Sequence, residues 1–200
     1  MPRSKNSKRG GARVPKRLKA PLRKAIKVLE DNDHRYAVIG GIALSQWGVV
    51  RVTQDIDLKV LVSNLDYAGV RAFLTRAFPQ AARQNAPQNP FIVVVEIDAV
   101  IVDFLLTAPG YEEQIIARAV PRNLNGFSIW VCSAEDLIIQ KVIAGRGKDW
   151  PDVEALLIEQ RGKLDEAYIE NWLSQFAEAL DKPEMLTEYR RLNDKVKALT

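Results

Sequence analysis

The sequence predicts an α+β fold, and three observations carry that reading. Short apolar runs of strand length recur at residues 36–39, 51–60, 91–107 and 127–131. Helical spacing of apolar residues fills stretches between them, at 21–29, 64–78 and 111–119. Beyond Ser133 the chain is helical in outline to its end. With 200 residues, 47% of them hydrophobic, the chain can bury a core of its own, either as one large domain or as a core with an appendage.

Taken in order, the chain begins basic. Eleven of its 29 Lys and Arg fall within residues 1–27, which hold no acid, so the remainder is net acidic. Residues 1–22 lack aromatics and periodicity and are expected to be a disordered basic tail, a composition that attracts nucleic acid. An amphipathic helix is expected from Pro21 to Leu29, with Leu22, Ile26 and Leu29 on one face. Asp31-Asn32-Asp33 then turns the chain. His34, the single histidine, is placed at the surface or a sheet edge. Tyr36–Ile39 is a buried strand, and Ile42–Trp47 a short helix closed by Gly48. Arg51–Val60 is a second strand, and Asn64–Phe78 a helix capped by Asn64. The run 91–107 is too long for one strand, so a hairpin turning at Asp98-Ala99 is expected. A helix over Tyr111–Ala119 and a short last strand over Phe127–Cys132 complete residues 23–132, the core. Residues 133–200 form a C-terminal helical region. Ser133 caps its first helix, and further helices are expected at Asp152–Gln160, Asp165–Leu180 and Pro183–Leu199.

Several function classes are set aside. No apolar run approaches membrane-spanning length and no signal-like stretch follows the basic start, so a cytoplasmic protein without membrane contact is expected. The single cysteine, Cys132, suits a reducing compartment and reads as a packed thiol. Zinc-type Cys/His clusters, a G-x-S-x-G elbow and a Walker A string are absent from the sequence.

The chemistry concentrates in residues 36–60. Asp55 and Asp57 lie two apart on an expected strand, hence on one face, where two carboxylates repel unless a cation separates them. Asp is also disfavoured in strands, and a hard divalent cation is the simplest compensation. Gly40 and Gly41 allow the backbone to approach a ligand, and the amides at a helix start suit a phosphate. Together these features describe a site for a nucleoside triphosphate with Mg2+ or Mn2+. Asp103 sits inside the apolar run VIVDFLL, where a buried acid needs a partner and an edge position would face solvent. Glu96 and Asp98 are weaker acidic candidates.

The pattern G-G, thirteen residues, D-x-D resembles the nucleotidyltransferase superfamily that includes DNA polymerase beta. The longer string GGIAL…G…RVTQDIDL is most similar to the AbiEii and MenT-like toxin nucleotidyltransferases. The resemblance implies a nucleotidyltransferase fold, with a mixed sheet flanked by helices and the C-terminal helices closing the cleft. It implies Asp55, Asp57 and Asp103 as catalytic metal ligands. It assigns Gly40, Gly41, Arg51, Thr53, Lys141 and Lys148 to the nucleotide, with Lys148 or Asp149 holding the polar network of the cleft. One departure stands out: Ile42 occupies the slot where many relatives carry Ser or Thr, and Ser45 comes a turn later. The implied reaction moves an NMP from an NTP to a hydroxyl and releases pyrophosphate. The acceptor stays open between tRNA or another RNA, a partner protein such as a cognate antitoxin or toxin, and a small hydroxyl compound. A non-catalytic nucleotide-, RNA- or partner-binding module is the alternative.

Overall fold

A computed structural model describes residues 14–79, 89–124 and 126–199. In chain order the elements are α1 (Lys16–Glu30), β1 (Tyr36–Val38), α2 (Gly40–Gln46), β2 (Ile56–Val60) and α3 (Tyr67–Ala77). Then come β3 (Ile92–Ile97), β4 (Val100–Leu106), α4 (Tyr111–Ala117), β5 (Val120–Asn123) and β6 (Ser128–Val131). Four helices follow: α5 (Ala134–Ala144), α6 (Asp149–Glu159), α7 (Glu166–Ala179) and α8 (Pro183–Lys197). The strands form one six-stranded sheet in the order β3-β4-β2-β1-β6-β5. The sheet is mixed: β2 runs parallel to β4 and β1 parallel to β6, while the other neighbours are antiparallel. This is the α+β architecture expected, with a helical region after the sheet.

The hairpin of β3 and β4 turns where anticipated. Asp98 and Ala99 both adopt positive φ, 50° and 59°, the backbone of a two-residue hairpin turn matched to the twist of its strands. Ser133 caps α5 by accepting from the Asp136 amide at 3.0 Å. One hydrophobic core joins the sheet to helices on both sides of the chain. It includes Leu18, Leu22 and Leu29 of α1, Val38, Leu58 and Phe104 of the strands, and Ile138 and Val142 of α5. Cys132 is fully buried, and burial pushes its thiol up, so it is packed rather than nucleophilic.

Four differences from the sequence reading have physical causes. α1 begins at Lys16, inside the stretch 1–22 expected to be a structureless tail, and Val14, Leu18, Pro21 and Leu22 are buried. Pro21 does not start the helix but sits within it. The lost amide donor costs about 3 kcal/mol, and burial of Leu18 and Val14 on the sheet offsets it. Residues 1–13 of the expected tail lie outside the described residues. The strand expected over Arg51–Val60 spans only Ile56–Val60, because residues 49–55 have no neighbouring strand and leave Val50 and Val52 exposed. α3 is capped by Asp66, which accepts from the Gly69 amide at 2.9 Å, not by Asn64, which lies in a preceding 3-10 turn. Finally β5 was not anticipated. Its Pro121 argues against a strand, but β5 is at the edge of the sheet, where a missing donor does no harm.

Candidate active site

The site is built at one end of the sheet. β2 and β4 are adjacent, parallel and in a register that pairs Asp57 with Asp103, so both carboxylates leave the same face side by side. Burial pushes the Asp57 carboxyl up to about 6, and the negative charges of Asp55 and Asp103 push in the same direction. Lys141 and Arg146 oppose that shift from across the cleft. Asp103 is half-buried on a strand inside the sheet, not at its edge. Glu96 is exposed, and Asp98 pairs with Lys24 at 2.8 Å in the hairpin turn.

Asp55 stands just before β2 rather than on it. It is exposed, and its Oδ1 accepts from the Thr53 hydroxyl at 2.9 Å. The same-face argument therefore does not hold for the Asp55/Asp57 pair, although the two charges still repel. The same-face pair is instead Asp57 and Asp103. Among the described residues no group of three or more His, Cys, Asp or Glu is placed so that it could hold a metal.

The two glycines answer to these side chains. Gly40 has φ +62°, and a Cβ on it would lie 2.0 Å from Asp57 Oδ2. A Cβ on Gly41 would lie 2.5 Å from Thr53 Cβ. Each glycine leaves room for a site side chain to pack against the start of α2. Ile42, at the departure from the family pattern, is a buried core residue, and Ser45 donates to the Ile42 carbonyl at 2.7 Å. Neither side chain faces the cleft.

Opposite the carboxylates, α5 and the loop after it supply cations. Lys141 is nearly buried and bonds Asp149 at 2.9 Å and Asp152 at 2.6 Å. Burial pulls its ammonium below the ordinary lysine range, and Asp149 works against that. Arg146 donates from Nε to Asp149 at 2.6 Å. Burial would push the Asp149 carboxyl up, but hydrogen bonds from Arg146 and Lys141 outweigh it and hold it at about 2. Arg51 pairs with Asp152, so the loop before β2 is tied to α6. Together these walls enclose a cleft of about 340 Å3, into which Gly40, Asp57, Asp103, Lys141 and Arg146 open.

Of the expected site residues, Gly40, Asp57, Asp103 and Lys141 line this cleft, while Gly41, Arg51, Thr53 and Asp55 buttress it. Lys148 does not join them: it is exposed at the N-terminal boundary of α6 and is not among the lining residues, whereas Asp149 holds the polar network. By resemblance the charged segment Lys141–Asp152 closes the cleft, but sequence reasoning gave Arg146 and Asp152 no role of their own within it, and none to Arg17. The charged run Lys141–Asp152 was the signal for the first two. Arg17, which reaches the Thr53 carbonyl at 3.4 Å, was concealed in the presumed tail.

Known proteins share this fold. The family model described as "Nucleotidyltransferase of unknown function (DUF6036)" matches residues 16–197. No curated protein matches the sequence significantly. Among solved structures, the chain is similar to an antigenic nucleotidyltransferase-like protein from Paracoccidioides brasiliensis, at 16% identity and TM-score 0.54, covering 87% of this chain and 92% of that one. It is also similar to ANT(2'')-Ia in complex with adenylyl-2''-tobramycin, at 15% identity and TM-score 0.55, covering 80% and 97%. The solution structure of the antibiotic-resistance factor ANT(2'')-Ia gives 18% identity and TM-score 0.57, covering 82% and 94%. At these identities the likeness is one of fold.

Proposed function

The chain belongs to the nucleotidyltransferase family whose model spans residues 16–197, and from that premise we propose that its cleft transfers an NMP from an NTP to the hydroxyl of an RNA acceptor, tRNA first among them. The observation that carries this reading is the in-register pair Asp57–Asp103 facing Lys141 and Arg146. The acceptor oxygen forms a bond to the α-phosphorus, the bond from that phosphorus to the bridging oxygen breaks, and pyrophosphate leaves. Asp103 accepts the hydroxyl proton. Lys141 and Arg146 meet the triphosphate, and the amides at Gly40–Gly41 approach its oxygens.

The donor set suits a divalent cation that arrives with the nucleotide. Asp57 and Asp103 crowd two negative charges on one face, and Asp55 adds a third nearby, a repulsion that a cation relieves. Asp57 and Asp103 would hold the cation together with oxygens of the nucleotide, since Mg2+ is commonly bound by one or two carboxylates plus substrate phosphates. When bound, the metal neutralises charge developing on the phosphates. The protein's own contribution is positioning: a cleft held rigid by Asp149, Asp152 and Arg51.

An RNA acceptor is favoured by the basic end of α1, which meets the site where Arg17 touches Thr53. The likeness to AbiEii and MenT-like toxins would make this activity part of a toxin–antitoxin pair, with a cognate antitoxin as partner. Incubation with labelled NTPs, Mg2+ or Mn2+, and total tRNA tests the reading, with an aminoglycoside panel and lysate protein as parallel acceptors. Label on RNA that is lost in Asp57→Ala is the expected result. Label on the small molecules or the protein instead would reassign the acceptor, and label nowhere would leave a binding module.

A further inference from the structure

Beside the cleft, the same sheet face carries a second hollow of about 690 Å3, within the size range of small-molecule sites. Gln140 lines both. Asp57 opens into the cleft, and Lys59, two residues further along β2 on the same face, opens into the second hollow. That step sets the two roughly 7 Å apart along the strand. Trp172 and Phe176, one turn apart on α7, form an aromatic wall with ring centroids 6.0 Å apart and planes 31° from parallel. Tyr111 backs them, 4.8 Å from Trp172, and its hydroxyl is fixed on Asp136 at 3.2 Å. Trp172 and Phe176 are only half-buried, so part of each ring remains at the hollow.

The charge of this hollow restricts what it can take. Lys59 and Glu112 are its charged groups, and they pair with each other. Its other polar groups include two amides, Gln140 and Gln175. Each donates to a carbonyl one turn back, to Asp136 at 3.1 Å and to Asn171 at 3.3 Å, which fixes the amide in place. A polycationic acceptor would find no excess of acid here. A flat, uncharged ring with hydrogen-bonding edges would find an aromatic wall and two fixed amides.

We propose that this hollow receives the terminal nucleobase of the RNA acceptor, stacked on Trp172 and Phe176, so that the ribose hydroxyl of the same nucleotide reaches Asp57 and Asp103. Asp57 and Lys59, which open into the two hollows, are offset by one step of β2, so the hollows are neighbours on the scale of a single nucleoside. The assignment rests on nucleotidyl transfer at the cleft and adds the acceptor's binding determinant to it.

The test uses the full chain with adenosine, a short single-stranded RNA and tobramycin as probes. Adenosine and the RNA should quench tryptophan fluorescence saturably, tobramycin should not, and saturating ATP with Mg2+ should leave adenosine bound. In Trp172→Leu and in the exposed-rim variant Gln175→Ala, calorimetry should show weaker adenosine binding, by roughly tenfold for the lost stack. In transfer assays Trp172→Leu should raise the KM for RNA by a similar factor and leave the KM for NTP unchanged. Displacement of adenosine by ATP would make the hollow the donor's own base site and overturn the proposal. An unchanged RNA KM in a folded Trp172→Leu would overturn it while transfer itself stood. Retained, Trp172-dependent adenosine binding with no transfer to any acceptor would remove the catalytic reading and keep the base pocket.

Discussion

At the scale of single residues, two carboxylates on facing walls have opposite relations to stability. Asp57 is ionised at neutral pH against the pressure of burial and of Asp55 and Asp103. Asp57→Asn should therefore stabilise the protein without magnesium by about 1–3 kcal/mol at pH 7.5. The same change should lower kcat by roughly 10²–10³-fold, the range for loss of a preorganised charged group. Thermal melts with and without magnesium check both parts, since the variant should also lose the magnesium-dependent rise in Tm. Asp149 works the other way. Its folded-state pKa of about 2 lies below the ordinary value of 3.8, so its stabilising effect is complete above pH 4 and disappears as pH falls through 2. Asp149→Asn should cost about 1–3 kcal/mol at pH 7, because Arg146 loses its carboxylate and the buried Lys141 keeps Asp152 alone. In urea unfolding the gap to wild type should narrow as the pH is taken from 4 toward 2. A gap independent of pH would mean that Asp149 stabilises by packing alone.

At the scale of elements, the glycine turn and α1 show what was legible in the sequence and what was not. The glycines and the D-x-D string do meet in the fold, and the reason for glycine there is steric: Asp57 and Thr53 occupy the space a Cβ would need. Gly40→Ala should displace Asp57, lower kcat roughly hundredfold and cost about 1–2 kcal/mol for a left-handed alanine, read from turnover and Tm. A seventeen-residue apolar run must fold back, and that placed Asp103 on the second strand of a hairpin; it was the family resemblance that singled it out as a site residue. Its register with Asp57 could not be read from the sequence, since β2 and β4 are distant in sequence and their pairing depends on the whole sheet. The start of α1 was missed because proline and a run of Lys and Arg hide an apolar stripe. Leu18→Ala and Leu22→Ala should each cost about 2–5 kcal/mol in urea unfolding, as for other fully buried leucines. Losses near zero would restore the view that residues before 23 are dispensable.

At the scale of the whole molecule, charge is divided between a basic start and an acidic remainder, and the structure brings the end of one to the mouth of the other. α1 carries Lys16, Arg17 and Arg23 on its exposed side, while Lys24 and Lys27 are already paired with Asp98 and Asp31. Residues after Lys27 hold 18 Lys and Arg against 25 Asp and Glu, so a phosphate backbone is repelled by most of the surface and drawn to α1. Arg17 is best left in place, because it also bonds the Thr53 carbonyl beside the site. Lys16→Glu with Arg23→Glu removes two exposed cations from a face that does not enter the core, so the fold should persist. Binding of tRNA would be measured for wild type and the double variant at several salt concentrations. Each lost phosphate contact should flatten the slope of log K against log salt by about 0.7–0.9, so two contacts should reduce it by about 1.4–1.8. The variant should also bind more weakly at low salt, with affinities converging as salt rises and screening erases the difference. Parallel lines with equal intercepts would place the acceptor's backbone elsewhere on the molecule, and an RNA acceptor would then have to be held by the Trp172 hollow and the cleft alone.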